Sequence, residues 1–323
     1  MSEPLQFDAP TALEYFSTLV ADDASLSLIE AAVSIAQDEY PDLDTQSVLA
    51  EIDTMADKLK RRIPADAVPV QRLRWLNRYF FQELGFAGNV NNYYDPRNSY
   101  LHTVLATRRG IPITLAVLYI ELATQIGLTA RGVSFPGHFL IKLRMHTGKQ
   151  HGEVVIDPFT GHSLSRDELD ELLGPYKRSH GLMGEFDAPL GLFLQAAPPR
   201  DVLARMLRNL KEIHRSAEDW QRLLAVEHRL VVLLPHAWEE RRDRGLVFAE
   251  LGLYPQAVDD LSAYLEHLMH IGLIAIGDAQ IAISQEMLQL MSHGESQWIL
   301  RQPFREHDCH SQIIADKRSA QVP

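Results

Sequence analysis

The sequence predicts an α+β fold followed by an all-α segment. Apolar residues recur at helical spacing over residues 11–82, and short runs of β-type composition lie between residues 130 and 156. After residue 200 the chain is helical and has a 34-residue repeat. We expect a helical region with an α+β core over residues 1–183 and a linker over 184–200. A helical domain over 201–293 and a polar tail over 294–323 should follow.

Local signals support the helices of the N-terminal region. Ser27 and Glu30 have the spacing of a capping box, and Pro41 ends the helix that they begin. Further helices are predicted over residues 45–62 and 70–83. Residues 84–98 are rich in glycine, asparagine and aspartate, which predicts a loop. Asn98 and Ser99 then supply the N-cap of a short helix.

The predicted core is centred on a helix that opens at Pro112. Proline suits the first turn of a helix, and Gly127 marks the end of this one. Strands are predicted over residues 130–135, 138–145 and 153–156, and the last two form a hairpin. Helix returns over residues 163–174.

A repeat organises the segment after residue 200. Apolar or aromatic residues recur 34 positions apart, as in the pairs Trp220 and Tyr254, Leu223 and Ala257, and Leu230 and Tyr264. A 34-residue helical period is the tetratricopeptide signature. Stacked helical hairpins form a concave surface, so we expect a protein or peptide partner to bind there.

Charge and cysteine content exclude several functional classes. The chain has 31 basic and 43 acidic residues and a net charge of −12, whereas nucleic-acid binding needs clustered Lys and Arg. It lacks the roughly 18 apolar residues that a membrane span requires, and residues 1–10 do not resemble a signal peptide. The single cysteine, Cys309, favours a reducing, cytoplasmic location. We therefore expect neither nucleic acid nor membrane among the partners.

Three residues occupy positions that a cysteine–histidine enzyme would use. In such enzymes a helix N-terminus stabilises the thiolate, a histidine lies within hydrogen-bond reach, and a third group orients the imidazole. Pro112 opens the central helix, while His138 and Asp157 accompany two later predicted strands. The base and its orienting carboxylate are present, but Pro112 has no nucleophilic side chain, so the covalent route is closed.

Four ordered runs resemble the bacterial SirB-type proteins: YYDPRNSYL at 93–101, RRGIPITL at 108–115, FPGHF at 135–139 and IDPF at 156–159. Those proteins join a transglutaminase-like, papain-like core to a tetratricopeptide segment, and the core also resembles part of a eukaryotic F-box protein. The resemblance covers about residues 10–270. It implies that Pro112 replaces the cysteine of the superfamily and that His138 and Asp157 match its histidine and aspartate. It also implies a loosely regulatory role.

Hydroxyl groups are the alternative nucleophiles. Thr114, Ser99 and Ser134 lie near the site in the sequence, but a hydroxyl needs a base far more than a thiol does. A purely structural interpretation also stays open. Under it Pro112 simply starts a helix, His138 is a core histidine bonded to Asp157, and Asp157 forms a turn.

A metal site is a further alternative. His138, His151, Asp157 and His162 offer suitable atoms for zinc, but their spacing is not that of a tight ligand set. We therefore expect no metal and no cofactor. Cys309 lies in a polar terminal stretch with two histidines, where it is interpreted as an exposed residue of a frayed terminus. A reactive or metal-binding thiol is the other interpretation.

The loop before the short helix contains candidate ligand-binding residues. Together with Thr114 it could form one wall of a peptide cleft in which an arginine grips a carboxylate. The candidates are Tyr94, Asp95, Arg97, Asn98 and Thr114. Alternatively, Asp95 and Arg97 brace the loop against the core.

The sequence favours a non-catalytic protein that binds a protein or peptide partner, with a regulatory role. In this interpretation His138 and Asp157 are relics or ligand-binding groups, and the repeat segment supplies the partner surface. The alternative is a hydrolase or acyl-transferase in which a hydroxyl or water attacks, His138 is the base and Asp157 orients it.

Overall fold

The computed structural model describes residues 10–147, 150–184 and 187–270. Within these ranges it describes every side chain except those of residues 146–151. These residues form two compact units. The core unit comprises residues 27–36 and 42–206, and the repeat unit comprises residues 10–26, 37–41 and 207–270. Cys309, the predicted tail and residues 271–293 of the predicted helical domain lie outside the described residues.

The described chain is mainly helical, with two small sheets. The α-helices are α1 (Ala12–Leu19), α2 (Leu28–Ser34), α3 (Thr45–Lys60), α4 (Pro69–Asn77), α5 (Leu101–Thr107), α6 (Pro112–Gln125), α7 (Arg166–Ser179), α8 (Leu190–Phe193), α9 (Pro199–Ser216), α10 (Trp220–Leu233), α11 (Trp238–Glu250) and α12 (Tyr254–His270). The strands are β1 (Ala87–Gly88), β2 (Arg109–Gly110), β3 (Thr129–Val133), β4 (Leu140–Thr147), β5 (Gln150–Ile156) and β6 (Ser163–Leu164). A 3-10 helix covers Pro96–Ser99.

Helix α6 is the centre of the core unit. Every residue from Pro112 to Ile120 is buried, as a helix surrounded by other elements requires. Helix α6 packs against β3 and β4, which belong to an antiparallel sheet of order β3-β4-β5-β6. Strands β1 and β2 form a separate parallel pair.

The predicted α+β core is confirmed, and three of its details are wrong. The strand predicted to begin at His138 begins at Leu140, because the preceding residues form a turn. Ser99 is not an N-cap: Tyr100 takes that position in α5, without a side-chain capping hydrogen bond. Residues 163–164, predicted as helix, form β6 instead, and the following helix begins at Arg166.

Helical hairpins make up most of the repeat unit, as the 34-residue period predicts. Helix α10 begins at Trp220 and α12 at Tyr254, so the period relates the starts of two helices. Helices α11 and α12 pack closely at Gly245, where an added Cβ would lie 2.9 Å from the Leu261 side chain. A glycine at this position permits the close approach.

The first helix belongs to the repeat unit. Helix α1 packs against α10, and its Phe16 is fully buried. The equally buried guanidinium of Arg229 lies 4.8 Å from the Phe16 ring centroid. It donates hydrogen bonds to both carboxylate oxygens of Asp38. The division therefore differs from the predicted one, since residues 10–26 and 37–41 precede the predicted linker but lie in the unit that follows it.

A buried ionic cluster lies within the repeat unit. The Lys211 ammonium is within 3.0 Å of Glu227, 2.8 Å of Glu240 and 2.6 Å of Asp243. The contact with Glu227 falls outside hydrogen-bond geometry, and neither carboxylate oxygen of Glu227 has a hydrogen-bond partner among the described residues. Burial raises the pKa of Glu227 to about 7, although Lys211 opposes the shift.

The Asp38→Asn variant should be markedly destabilised. The substitution leaves the buried Arg229 guanidinium without a counter-charge, which should cost about 2–4 kcal/mol. Urea denaturation measures the free energy of unfolding. The exposed Asp42→Asn change is the matched control and should alter it by less than about 0.5 kcal/mol. Equal stabilities of the two variants would show that the Asp38 pair contributes little.

The difference in unfolding free energy between the Glu227→Gln variant and the wild type should shift in favour of the variant as pH rises. Because the pKa of Glu227 is raised to about 7 in the folded chain, the unfolded chain ionises first. Wild-type stability therefore declines from about pH 4.5 to pH 7, and the loss is complete above that range. Unfolding free energies at pH 5 and pH 8 should show a larger advantage for the variant at pH 8, by about 1–3 kcal/mol. Glu266→Gln, at an exposed position, should show no such pH dependence, and a pH-independent Glu227→Gln effect would contradict the prediction.

Candidate functional site

A tight turn positions His138 at the entry to β4. The His138 amide donates to the Phe135 carbonyl at 2.9 Å, and Pro136 and Gly137 lie between them. Gly137 has a φ of +67°. Proline followed by a residue with positive φ is typical of a type II turn, and glycine adopts this conformation without strain. The FPGH motif therefore places the imidazole just before the strand.

A compact loop at the end of β5 holds Asp157. One of its carboxylate oxygens accepts a hydrogen bond from the Phe159 amide at 2.8 Å, and the other accepts one from the Thr160 hydroxyl at 3.0 Å. The Asp157 amide donates to the carbonyl of His162 at 2.9 Å. The carboxylate therefore stabilises its own loop, as the structural interpretation of the sequence anticipated.

The structure brings His138 and Asp157 together. His138 precedes β4 and Asp157 follows β5. Because these strands are antiparallel neighbours, the start of β4 lies beside the end of β5, and both residues lie at the same end of the strand pair. His138 Nε2 is 3.8 Å from Asp157 Oδ2, and the two side chains are 15% and 10% exposed. This separation is that of an ion pair, longer than a hydrogen bond. No hydrogen bond therefore joins these two atoms, although the side chains lie close together.

The start of α6 carries no free nucleophile. Pro112 is its first residue, and the fully buried Thr114 lies one turn into it. The Thr114 hydroxyl accepts from the Ile111 amide at 3.2 Å and donates to the Asn98 carbonyl at 2.8 Å. It therefore holds the helix start against the preceding loop. The Ser99 hydroxyl is also buried and has no hydrogen-bond partner among the described residues.

Strand β1 links the Asp157 loop to the start of α6. The Gly88 amide donates to the Phe159 carbonyl at 3.0 Å, and Gly88 pairs with Gly110 of β2, which lies two residues before Pro112. An added Cβ on Gly88 would lie 2.2 Å from the Phe159 ring. The close packing of backbone and ring therefore requires glycine at this position.

The tyrosine-bearing loop is fixed from within. The buried Asn98 side chain donates to the carbonyls of Asn92 at 2.7 Å and Tyr93 at 3.1 Å. Asp95 accepts from the Arg97 amide at 2.9 Å and from its guanidinium at 2.7 Å. The hydrogen bonds from the Arg97 side chain hold the pKa of Asp95 below its ordinary value. These contacts all lie within the loop and stabilise its conformation; none of them joins Asp95 or Arg97 to the core.

Two aromatic side chains face each other on this loop. The Tyr93 and Tyr94 rings meet edge to face at 5.4 Å, and Tyr94 is 59% exposed. The Tyr93 ring also lies 6.1 Å from the ring of Phe159, beside the Asp157 loop. Burial raises the pKa of the Tyr93 phenol, and nearby Arg205 opposes this shift.

Arg205 of α9 contacts the residue that follows His138, a contact that the sequence analysis did not identify. Its guanidinium lies 5.5 Å from the Phe139 ring centroid, one residue beyond His138. Phe139 in turn packs on β3, where an added Cβ at Gly132 would lie 2.6 Å from its ring. The predicted domain boundary assigned Arg205 to the helical repeat, so nothing in the sequence pattern joined it to His138.

The predicted site residues thus separate into two groups. His138, Asp157 and Tyr94 lie at or near a partly exposed edge of the core unit. Asn98 and Thr114 are buried and satisfied by internal hydrogen bonds, which leaves no polar group of theirs for a ligand. Within the described residues, no group of three or more His, Cys, Asp or Glu side chains could hold a metal ion.

Sequence comparisons agree with this architecture. The sequence model of the transglutaminase-like superfamily matches residues 46–208, and that of the tetratricopeptide repeat matches residues 210–289. A UPF0162 protein of Xylella fastidiosa (strain Temecula1) is 40% identical over 248 residues, covering 76% of this chain and 85% of the relative. The chain belongs to the UPF0162 family. The resemblance to SirB-type proteins is thereby confirmed, and with it the two-part organisation.

More distant relatives extend the comparison. The UPF0162 protein of Vibrio cholerae is 26% identical over 243 residues, covering 75% of this chain and 87% of the relative. F-box only protein 21 of Pongo abelii is 26% identical over 274 residues, covering 75% of this chain but 42% of that protein. No solved structure matches the chain. No helix in the described part of this UPF0162 chain is long and apolar enough to cross a membrane.

The Gly88→Ala variant should be destabilised by about 1–3 kcal/mol, because the added methyl group forces the Phe159 ring out of its place. Urea denaturation measures the change. The control is Gly191→Ala, where an added Cβ meets no atom within 4 Å. If both variants unfold alike, the close contact at Gly88 does not constrain the site.

Proposed function

We propose that this chain is a transglutaminase-like protein without a nucleophile that binds a protein or peptide partner and acts as a regulator. The observation that carries the proposal is Pro112 at the start of α6. The superfamily motif Gly-x-Cys-x-x-Phe-Ala aligns with residues 110–116 and puts its cysteine on this proline. A pyrrolidine ring cannot form a thioester, so covalent acyl transfer from this position is closed.

The other nucleophiles near the site support the same conclusion. The sole cysteine, Cys309, lies outside the described residues and far from the core in sequence. The Thr114 hydroxyl is buried and engaged in hydrogen bonds at the helix start, and Ser99 is 1% exposed. Any catalysis would therefore depend on water with His138 as its base, and this is the enzymatic alternative.

Two surfaces favour binding. Tetratricopeptide hairpins generally present a concave surface to peptides. In the core unit, Tyr94 offers an exposed aromatic ring beside the His138–Asp157 edge, and aromatic side chains are frequent anchors at interfaces. A net charge of −12 argues against nucleic acid as the partner, and the single cysteine supports a cytoplasmic location.

Turnover by the wild-type chain should not depend on His138. A panel of peptide amides, esters and glutamine-containing peptides with an added amine tests hydrolysis and acyl transfer. Wild type and His138→Ala should show equal background rates, because no activated nucleophile is present. A wild-type rate about 100-fold or more above that of His138→Ala would support the enzymatic alternative and overturn the proposal.

Selection of random peptides tests whether the chain binds a peptide partner. Random peptides displayed on phage are selected on the immobilised full-length chain, and the same sequences should be enriched in independent selections. Tyr94→Ala should reduce their retention, whereas Leu192→Ala, at a similarly exposed apolar position, should not. The absence of any reproducible enrichment would contradict peptide binding.

A further inference from the structure

A cavity of about 320 Å³ lies within the core unit beside α3. Its wall comes from α3, from the π-helical turn Arg78–Glu83 that follows α4, and from the C-terminal end of α5. The volume is at the lower end of the roughly 300–1,000 Å³ of ligand pockets. It has room for about ten non-hydrogen atoms if each takes the volume of a water molecule in the liquid. The cavity therefore suits a small molecule.

Arg108 presents a positioned guanidinium at the wall of this cavity. Arg108 is the C-cap of α5 and has a φ of +57°, a left-handed conformation that residues other than glycine rarely adopt. Its guanidinium lies 4.8 Å from the Phe86 ring centroid, and its side chain is 30% exposed. The aromatic ring thus holds the cation from one side while part of the side chain stays accessible.

Most of the hydrogen-bonding capacity of this guanidinium is unused. Within the described chain its sole hydrogen bond goes to the sulfur of Met55 at 3.7 Å, and a thioether is a weak acceptor. The Glu51 carboxylate is 3.8 Å from Nη2, which is longer than a hydrogen bond. By contrast, Arg229 and Arg244 each donate to both oxygens of one carboxylate. Arg108 therefore has donors left for an acceptor from outside the protein.

Two further donors line the same cavity. The Tyr79 side chain is 3% exposed, and its hydroxyl makes no hydrogen bond with any described residue. Burial raises the pKa of this phenol, although Arg62 opposes the shift, so the hydroxyl stays protonated at neutral pH. Lys58 is an exposed residue of α3, and its ammonium pairs with no carboxylate of the described chain. Both groups can donate to an anionic oxygen.

The charges at the wall favour an anion with a single negative charge. Lys58, Arg62 and Arg108 supply three positive charges. Glu51 and Glu83 supply two negative charges, and Glu83 already accepts a hydrogen bond from Arg62. The one excess positive charge matches a carboxylate, whose two oxygens also fit the planar fork of a guanidinium. A phosphate group, with a charge near −2, would exceed this balance.

Apolar atoms complete the wall. Met55 is buried and Leu84 is half-buried, and both line the cavity. The Tyr79 ring is held in place by the Arg62 guanidinium, which lies 5.1 Å from its centroid. Ligand pockets commonly combine an apolar lining with a few polar groups that fix the orientation of the ligand. A ligand that fills this cavity therefore has a hydrocarbon body and one anionic end.

We infer that the cavity binds a small organic monocarboxylate, with its carboxylate on Arg108 and its hydrocarbon body against Met55 and Leu84. Arg108 binds the carboxylate through charge-assisted hydrogen bonds, and the Tyr79 hydroxyl and the Lys58 ammonium supply further donors. The inference goes beyond the proposed function, because neither the His138–Asp157 pair nor the repeat unit contributes to the wall. Occupation of the cavity requires no peptide partner.

Three carboxylates of suitable size test the inference: benzoate, 3-phenylpropanoate and octanoate. Each is compared with its primary amide, which has nearly the same shape without the charge. The methionine methyl groups of the full-length chain are labelled with carbon-13, and loss of a signal in the Met55→Leu variant assigns Met55. Because Met55 lines the cavity, titration followed by NMR reports binding at the cavity itself.

At least one carboxylate should shift the Met55 signal saturably, with an affinity at least about tenfold higher than that of its amide. The signal of Met206, which is buried in α9, should not move. Arg108→Gln should weaken binding of the same carboxylate about tenfold, because the guanidinium is lost. The matched control, Arg74→Gln, removes an exposed positive charge from α4 of the same unit and should leave the affinity unchanged.

Three results would overturn the inference: no saturable shift of the Met55 signal with any carboxylate, equal affinities for carboxylate and amide, or an affinity that Arg108→Gln leaves intact. Tighter binding of 2-phenylethyl phosphate than of every carboxylate would overturn the assignment to a monoanion. The peptide selections do not depend on any of these outcomes, so the proposed function stands or falls separately.

Thermal unfolding checks that each variant is folded. Should Arg108→Gln fail this check, Arg108→Lys and Tyr79→Phe take its place. Arg108→Lys keeps the charge but loses the planar fork, and Tyr79→Phe loses one donor, so each should weaken carboxylate binding several-fold. Wild-type affinity in both variants would contradict the inference.

Discussion

The contact between Gly88 and Phe159 is the constraint on which the rest of the site depends. It joins three segments that are distant in the chain: the loop that carries Asp157, the strand pair β1–β2 and the start of α6. The side chains at the site are then oriented by short local motifs, a type II turn for His138 and a hydrogen-bonded loop for Asp157. The Gly88 contact thus fixes how the Asp157 loop lies against β1 and, through β2, the start of α6.

Much of this arrangement could be predicted from the sequence, because the relevant signals are local. Periodicity located the helices, and the 34-residue repeat related Trp220 to Tyr254, which prove to be the first residues of α10 and α12. The order of motifs pointed to a pairing of His138 with Asp157, which lie 3.8 Å apart. Arg205 could not be found in this way, since its link to Phe139 depends on tertiary packing across about 66 residues of chain. The prediction that Ser99 is an N-cap was wrong because a residue with suitable capping chemistry need not lie where the helix begins. In the structure Tyr100 is the N-cap of α5.

The repeat unit depends on a different kind of interaction. Arg229 lies fully buried between an aromatic ring and a carboxylate, both from residues near the beginning of the chain. Such a pair contributes little to stability relative to an apolar core, but a segment without a carboxylate at this position would leave the buried charge unpaired. The apolar pattern of α1 predicted a helix without predicting its neighbour. In the structure, Arg229 of α10 contacts Phe16 of residues 10–26 and Asp38 of residues 37–41, which both belong to the repeat unit.

This discontinuity has a consequence for biosynthesis. Residues 10–26 leave the ribosome early, yet the helix that covers Phe16 is translated only some 200 residues later. At roughly 5–20 residues per second, about 10–40 seconds pass before α10 is available to cover that aromatic surface. During this interval the intervening residues can complete their own fold. The N-terminal helix can therefore reach its native packing only after α10 has been synthesised.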